Sequence, residues 1–318
     1  RFRASTSFAI LRRPTHLATA TAALPIGPSL VLRGTYHFAH GLLETTEIDP
    51  GREYFFNLAP FTRHDAIVRA AFDPGGPLTL SVIGSRDHLH VEGPGFFDHD
   101  LESLQAEARY ELRENMNALL TFGLDRVPRP AERPVAEASG QSLTAGLDGE
   151  ILPLVRGTAT VGVRRLDAPL AAAPGRRFQG LVANVRVVKE FTPGSSLGVF
   201  ASRGTYPSDF EDNAFYVATG AGLEGNAGLP LSVVGRAGLG WQRNTYKVPS
   251  VDNGVLRHDD LFGWSLGAGR GLTRWAFVRV DYRRERRRSN LAAFNSRNNA
   301  LTVSFGLGLL GAPETAAP

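Results

Sequence analysis

Phe262-Gly263-Trp264-Ser265-Leu266-Gly267-Ala268-Gly269-Arg270 puts every bulky apolar side chain at an even number and a small one at every odd number. Past Gly271-Leu272-Thr273 the pattern returns with a charged second face. Ala276, Val278, Val280 and Tyr282 alternate with Arg279, Asp281, Arg283 and Glu285. From Ala300 to Leu309 the apolar set Leu301, Val303, Phe305, Leu307 and Leu309 alternates with Ala300, Thr302, Ser304, Gly306 and Gly308. A period of two is the strand signature, because successive side chains point to opposite faces of a sheet. Runs of about 10 to 12 residues suit a tilted strand crossing a bilayer, whereas soluble strands average about 5 to 6. Phe262, Trp264 and Tyr282 lie near the ends of the apolar face, where amphipathic rings match the headgroup region. The stretch from Phe262 to Leu310 therefore predicts three membrane-crossing strands.

Outward from this stretch the same pattern recurs about every 20 residues. Sixteen strands are predicted, over 2–12, 16–25, 29–40, 64–73, 78–90, 102–112, 117–126, 141–150, 156–165, 177–190, 196–206, 213–224, 231–245, 260–270, 273–286 and 298–310. An even number lets an antiparallel barrel close with both termini on one side. Connections sort into short ones with turn chemistry, such as Asp73-Pro74-Gly75-Gly76-Pro77 and Arg113-Glu114-Asn115-Met116, and long ones such as Gly41 to Phe61. Counted back from the C-terminus, the long ones fall on one side. The expected fold is all-β: a closed antiparallel transmembrane β-barrel over 1–310 with short periplasmic turns and longer outer loops, then a tail over 311–318.

Composition agrees with a strand-rich envelope protein. There are 35 glycines, 19 phenylalanines and one methionine in 318 residues. The absence of cysteine excludes disulfides and thiolate chemistry. Lys189 and Lys247 are the only lysines, so nearly all basic residues are arginine. The net charge of +4 is modest and both signs are interspersed, which argues against nucleic-acid binding. No apolar run reaches the roughly 18 residues of a membrane helix, and a barrel has none, since its lipid-facing residues come at every second position. The chain opens at Arg1, and an envelope location requires an export signal that is not visible in it.

Candidate chemistry is weak by context. Gly263-Trp264-Ser265-Leu266-Gly267 matches the serine-nucleophile pattern, yet Ser265 lies inside an alternating strand where a hydrolase needs a strand-to-helix elbow. Gly220 to Gly225 matches the dinucleotide fingerprint but leads into a turn where that fingerprint needs a helix. His88 and His90 share a strand face, with Asp98, His99 and Asp100 beyond a loop; the set binds a metal only if that loop folds back, and outer polar residues are the plainer reading. Glu107, Arg109 and Glu111 share a face and suit an ion-pair ladder better than acid/base work. No reaction and no cofactor is predicted.

Charges on strand faces carry more. A mid-bilayer arginine costs about 2–4 kcal/mol, so Arg279, Asp281, Arg283 and Glu285 must avoid lipid. With Glu107, Arg109, Arg186 and Arg236 they are assigned to the lumen wall, giving it mixed sign and weak ion selectivity. Arg286, Arg287 and Arg288 follow at the expected outer rim, placed to contact lipopolysaccharide phosphates or an acidic polysaccharide.

Tyr206-Pro207-Ser208-Asp209-Phe210, then Asp212-Asn213-Ala214-Phe215-Tyr216-Val217, resembles outer-membrane β-barrel porins of the BBP2 type. Arg257-His258-Asp259-Asp260, Asp281-Tyr282-Arg283-Arg284-Glu285-Arg286 and Ser289-Asn290 extend the resemblance over about Phe178 to Leu310. It implies a barrel in the bacterial outer membrane associated with exopolysaccharide or capsule export, with lipid, lipopolysaccharide and polysaccharide-export components as partners. One departure is the end: many such barrels finish on an aromatic, whereas here Gly311 to Pro318 follow the last strand and Phe305 is the nearest aromatic. The other readings are a non-conducting structural barrel, a barrel hydrolase and a soluble all-β domain.

Overall fold

The computed structural model describes residues 16–42, 60–92, 99–128, 138–168, 177–192, 194–208, 215–249, 254–273 and 275–307. They form one antiparallel sheet of fifteen strands paired in chain order. The strands are β1 (His16–Ile26), β2 (Leu30–Leu42), β3 (Pro60–Phe72), β4 (Leu78–Val91), β5 (His99–Arg113), β6 (Met116–Val127), β7 (Ala138–Leu152) and β8 (Val155–Asp167). They continue as β9 (Arg177–Thr192), β10 (Ser195–Pro207), β11 (Phe215–Leu229), β12 (Val233–Tyr246), β13 (His258–Thr273), β14 (Ala276–Ser289) and β15 (Ser296–Leu307). Helix among the described residues is limited to two 3-10 turns, Pro230–Ser232 and Ala292–Phe294. The strand expected over 2–12, the end of the last one beyond Leu307 and the tail over 311–318 lie outside the described residues.

The connections alternate without exception. Those after the odd-numbered strands β1, β3, β5, β7, β9, β11 and β13 span two to five residues, and those after the even-numbered ones span six to seventeen. In the two-residue link Glu114–Asn115, Asn115 takes φ +62°, a left-handed conformation that asparagine tolerates better than most residues. The sheet thus has a turn end and a loop end, as the spacing of turn residues predicts.

Register fixes the faces, since paired Cα atoms carry side chains on the same side. One continuous row runs Leu223, Leu239, Trp264, Arg284; the next toward the turn end runs Gly225, Ala237, Leu266, Tyr282, Leu301. This is the apolar face. Its side chains stand exposed, among them Val68, Val82, Leu104, Leu120, Val161, Leu181, Val199, Leu239 and Val303. Tyr36, Trp241 and Phe262 lie toward the loop end of that face and Phe72, Tyr110 and Phe305 toward the turn end, a double aromatic border. Each strand packs substantially only on its sequence neighbours, so among the described residues no second layer covers either face. A soluble sandwich buries one face of each sheet on the other. A surface this large and apolar is stable in lipid, not in water.

Candidate functional site

The opposite face is polar, and all eight residues assigned to the lumen wall from sequence point to it. Glu107 pairs in register with Ser81 and Thr121, and Arg109 with Thr79 and Leu119. Arg186, Phe200, Gly222, Gly240, Gly263 and Glu285 form one row across six strands. Arg236, Gly267 and Asp281 form another, while Arg283 sits opposite Ser265 and Arg279 opposite Gly269. Alternation in the sequence was sufficient to group them on one face.

Their partners depend on register. Arg69 Nη2 donates to Glu107 Oε1 at 2.9 Å, crossing over β4, and Arg109 lies 3.2 Å from Asp148 and 3.6 Å from Glu107. Arg186 Nη2 donates to Glu224 Oε1 at 2.6 Å across β10, and Arg164 Nη2 to Asp125 Oδ2 at 2.5 Å across β7. Within β14, Arg279 pairs with Asp281, and Arg283 with Glu285 at 3.5 Å. Next-but-one strands are about 10 Å apart, so these long side chains lie along the wall and do not stand away from it.

The small residues of β10–β13 make room for that posture. A methyl group at Gly267 would strike the Asp281 carboxylate, one at Gly198 would meet Glu224, and one at Gly222 would run into the Phe200 ring. A methyl group at Gly263 would similarly come within 3.3 Å of the Glu285 side chain. Glycine in a strand marks a close approach of this sort.

At the loop end the same face carries a buried cluster. Tyr206, Tyr216 and Tyr246 stack in sequence, with ring centroids 5.9 and 5.5 Å apart. The Arg257 guanidinium sits 4.4 Å over Tyr246 and 3.6 Å from the Phe294 ring centre, and donates to Asp259 through Nη2 at 2.6 Å and Nε at 3.1 Å. Arg287 Nε lies 3.8 Å from the same carboxylate. Tyr216 and Asp259 are fully buried, so the cluster is a brace tying β10–β14 together and offers no surface to a ligand. Four of the residues that carry the family resemblance, Tyr206, Tyr216, Arg257 and Asp259, meet here.

Of the three rim arginines, two stand on the apolar face and one does not. Arg286 pairs with Phe262 and Arg297, and Arg288 with Asp260, whereas Arg287 turns to the polar face opposite Leu261 and is 4 % exposed. Arg287 therefore cannot contact a surface ligand as expected; strand parity separates it from its neighbours. Arg284 and Arg297, absent from the expectation, share the face of Arg286 and Arg288.

The remaining motifs find ordinary places. Ser265 pairs with Gly238 and Arg283 in mid-strand, and Gly220 to Gly225 lies wholly within β11. His88 Nδ1 is 2.6 Å from Asp100 Oδ1 on the apolar face near the loop end, and His64 lies beside it with ring centroids 6.2 Å apart. Among the described residues no group of three or more His, Cys, Asp or Glu is placed to hold a metal. Asp98 lies outside them.

No curated protein matches the chain. Among solved structures it is similar to the FrpB iron transporter from Neisseria meningitidis (F5-1 variant), apoprotein form, at 10% identity and TM-score 0.51, covering 87% of this chain and 52% of that one. It also matches the ferric-catecholate import receptor Fiu of E. coli K12 in its closed form, at 11% identity and TM-score 0.46, covering 87% of this chain and 58% of that one. The chain thus spans between half and three-fifths of the length of these receptors. The likeness to FrpB is one of fold. The family described as "Putative beta-barrel porin 2" matches residues 101–307, and the chain belongs to that family of the bacterial outer membrane.

Proposed function

We propose that the sheet closes into a sixteen-strand barrel, loops outward, and works as a passive porin-like channel for polar solutes of low net charge. The observation that carries this reading is the polar face itself. Acids and bases are interleaved along it and paired at 2.5–3.6 Å, and glycines let those side chains lie against the wall. A ring of one sign selects ions, whereas a mixed wall discriminates little and stays hydrated. Such a wall suits neutral carbohydrate, which links it to the polysaccharide-export role the resemblance implies.

Closure is supported by strand direction. β1 and β15 both run from the loop end to the turn end, so an antiparallel seam needs one more strand between them. Residues 2–12 supply the matching sequence pattern. Left open, the two edges would present unpaired backbone groups within lipid, where each costs several kcal/mol.

The test combines mobility with conductance. Detergent-refolded protein is expected to migrate faster unheated than boiled, and in planar bilayers under a KCl gradient to conduct with a reversal potential within a few millivolts of zero. Glu107→Gln with Asp148→Asn and Glu224→Gln should move that potential to the anion-selective sign, because Arg69, Arg109 and Arg186 lose their counter-charges. A heat-shifted protein that conducts no more than bare lipid would leave a structural barrel standing and end the channel reading.

A further inference from the structure

On the apolar face near the loop end, cations on four strands have a carboxylate beside them. Arg86 Nη2 is 3.4 Å from Asp100, Arg165 and Arg177 share Asp167 at 2.9 and 2.5 Å, and Arg243 grips Asp260 with two hydrogen bonds of 2.8 Å. Arg203 of β10 instead donates to Thr219 Oγ1 at 2.6 Å and the Leu181 carbonyl at 3.2 Å, and β14 and β15 gather several cations with no carboxylate. Arg284, Arg286 and Arg288 follow at every second position on this face, and Arg297 stands directly opposite Arg286. Among the described residues none of the four has a carboxylate within ion-pair distance, and Asp260, opposite Arg288, is already held by Arg243. Like charges directly opposite each other in a sheet are destabilising, and an anion among the four would offset that repulsion.

The surroundings say which kind of anion. A cleft of about 570 Å³ opens at the loop end among Arg286, Arg288 and Arg297, and it reaches round to Arg287 and Ser296 of the polar face. Toward the turn end the same face continues through Tyr282, Leu301, Val303 and Phe305, all apolar or aromatic. Guanidinium groups match phosphate oxygens with two parallel hydrogen bonds, and a cluster of them favours a multiply charged group. A ligand that meets both features carries phosphate directly above acyl chains. We propose that Arg284, Arg286, Arg288 and Arg297 form a membrane-side site for the phosphates of the outer-leaflet glycolipid. The proposal rests on the barrel orientation given above, with the loop end at the outer leaflet.

The experiment uses refolded full chain in detergent, bis-phosphorylated hexa-acyl lipid A as probe, and native mass spectrometry of the bound lipid. Heat-shifted mobility is recorded on the same samples, so that failure of the barrel reading shows there and failure of the site shows in the lipid titration. Changing all four arginines to glutamine is expected to weaken lipid A binding at least about tenfold, the loss of several charge-assisted hydrogen bonds. The variant should keep its heat shift, since the four side chains touch no core. Arg165→Gln, which removes a cation already paired with Asp167, should leave binding unchanged. Dephosphorylated lipid should bind the native chain as weakly as the variant binds lipid A, and millimolar inorganic phosphate should fail to displace lipid A. Equal binding by the folded quadruple variant, or equal affinity for the dephosphorylated lipid, would overturn the site. Displacement by inorganic phosphate would make it a site for the free anion and overturn the lipid assignment.

Discussion

Replacing Asp259 with alanine is expected to destabilise the protein by about 3–5 kcal/mol, measured by guanidinium unfolding in detergent. The carboxylate is fully buried and faces two guanidiniums, Arg257 at 2.6 Å and Arg287 at 3.8 Å, themselves only 5 % and 4 % exposed. Truncation leaves both cations buried without it, which costs far more than the pair contributed. Arg257→Met, Asp259→Leu and Arg287→Met together should recover most of the loss, because an apolar set of similar volume avoids the desolvation penalty. Methionine at 257 also keeps a contact with the Tyr246 and Phe294 rings. A single-variant loss below about 1 kcal/mol would show that water reaches the cluster and that it is not a brace.

Leu223→Arg should cost about 2–4 kcal/mol in lipid vesicles, and Gln105→Arg on β5 less than about 0.5 kcal/mol. Leu223 is 45 % exposed on the apolar face, whereas Gln105 stands exposed on the polar one, opposite Ile83 and Gly123. In water two exposed positions would tolerate arginine alike, so the difference between them reports the solvent each face meets. Similar stabilities for the two variants would sink the lipid-facing assignment.

What the sequence makes legible is what has a period. Alternation located each described strand to within a few residues and put Arg279, Asp281, Arg283 and Glu285 of β14 together on one face. It failed at 286–288, read as one basic block, although the odd position of Arg287 already grouped it with Arg283 and Glu285. Boundaries slipped where a strand runs past its apolar segment, as in β11, expected to end at 224 but continuing to Leu229. Partners were not legible, because they depend on register between segments far apart in the chain. Arg69 and Glu107 are 38 residues apart, and nothing local in either strand names the other. The unbalanced arginine patch was hidden for the same reason: Arg297 joins it only through pairing with Arg286. The glycines of β10–β13 were visible as a small-residue face, but that they seat Asp281, Glu224 and Phe200 emerges only once the neighbouring strand is beside them.

The strictly sequential pairing has a kinetic consequence. Each hairpin can be added to the one before it, so every contact but the last is local and folds from a short loop. In the closed barrel we propose, the seam would be different: it would join segments nearly the whole chain apart, and such non-local pairing is slow to form. The barrel should therefore assemble as a growing ribbon whose final zippering limits the overall rate, and circular permutation that moves the seam to a tight turn should relocate the slow step without altering the finished wall.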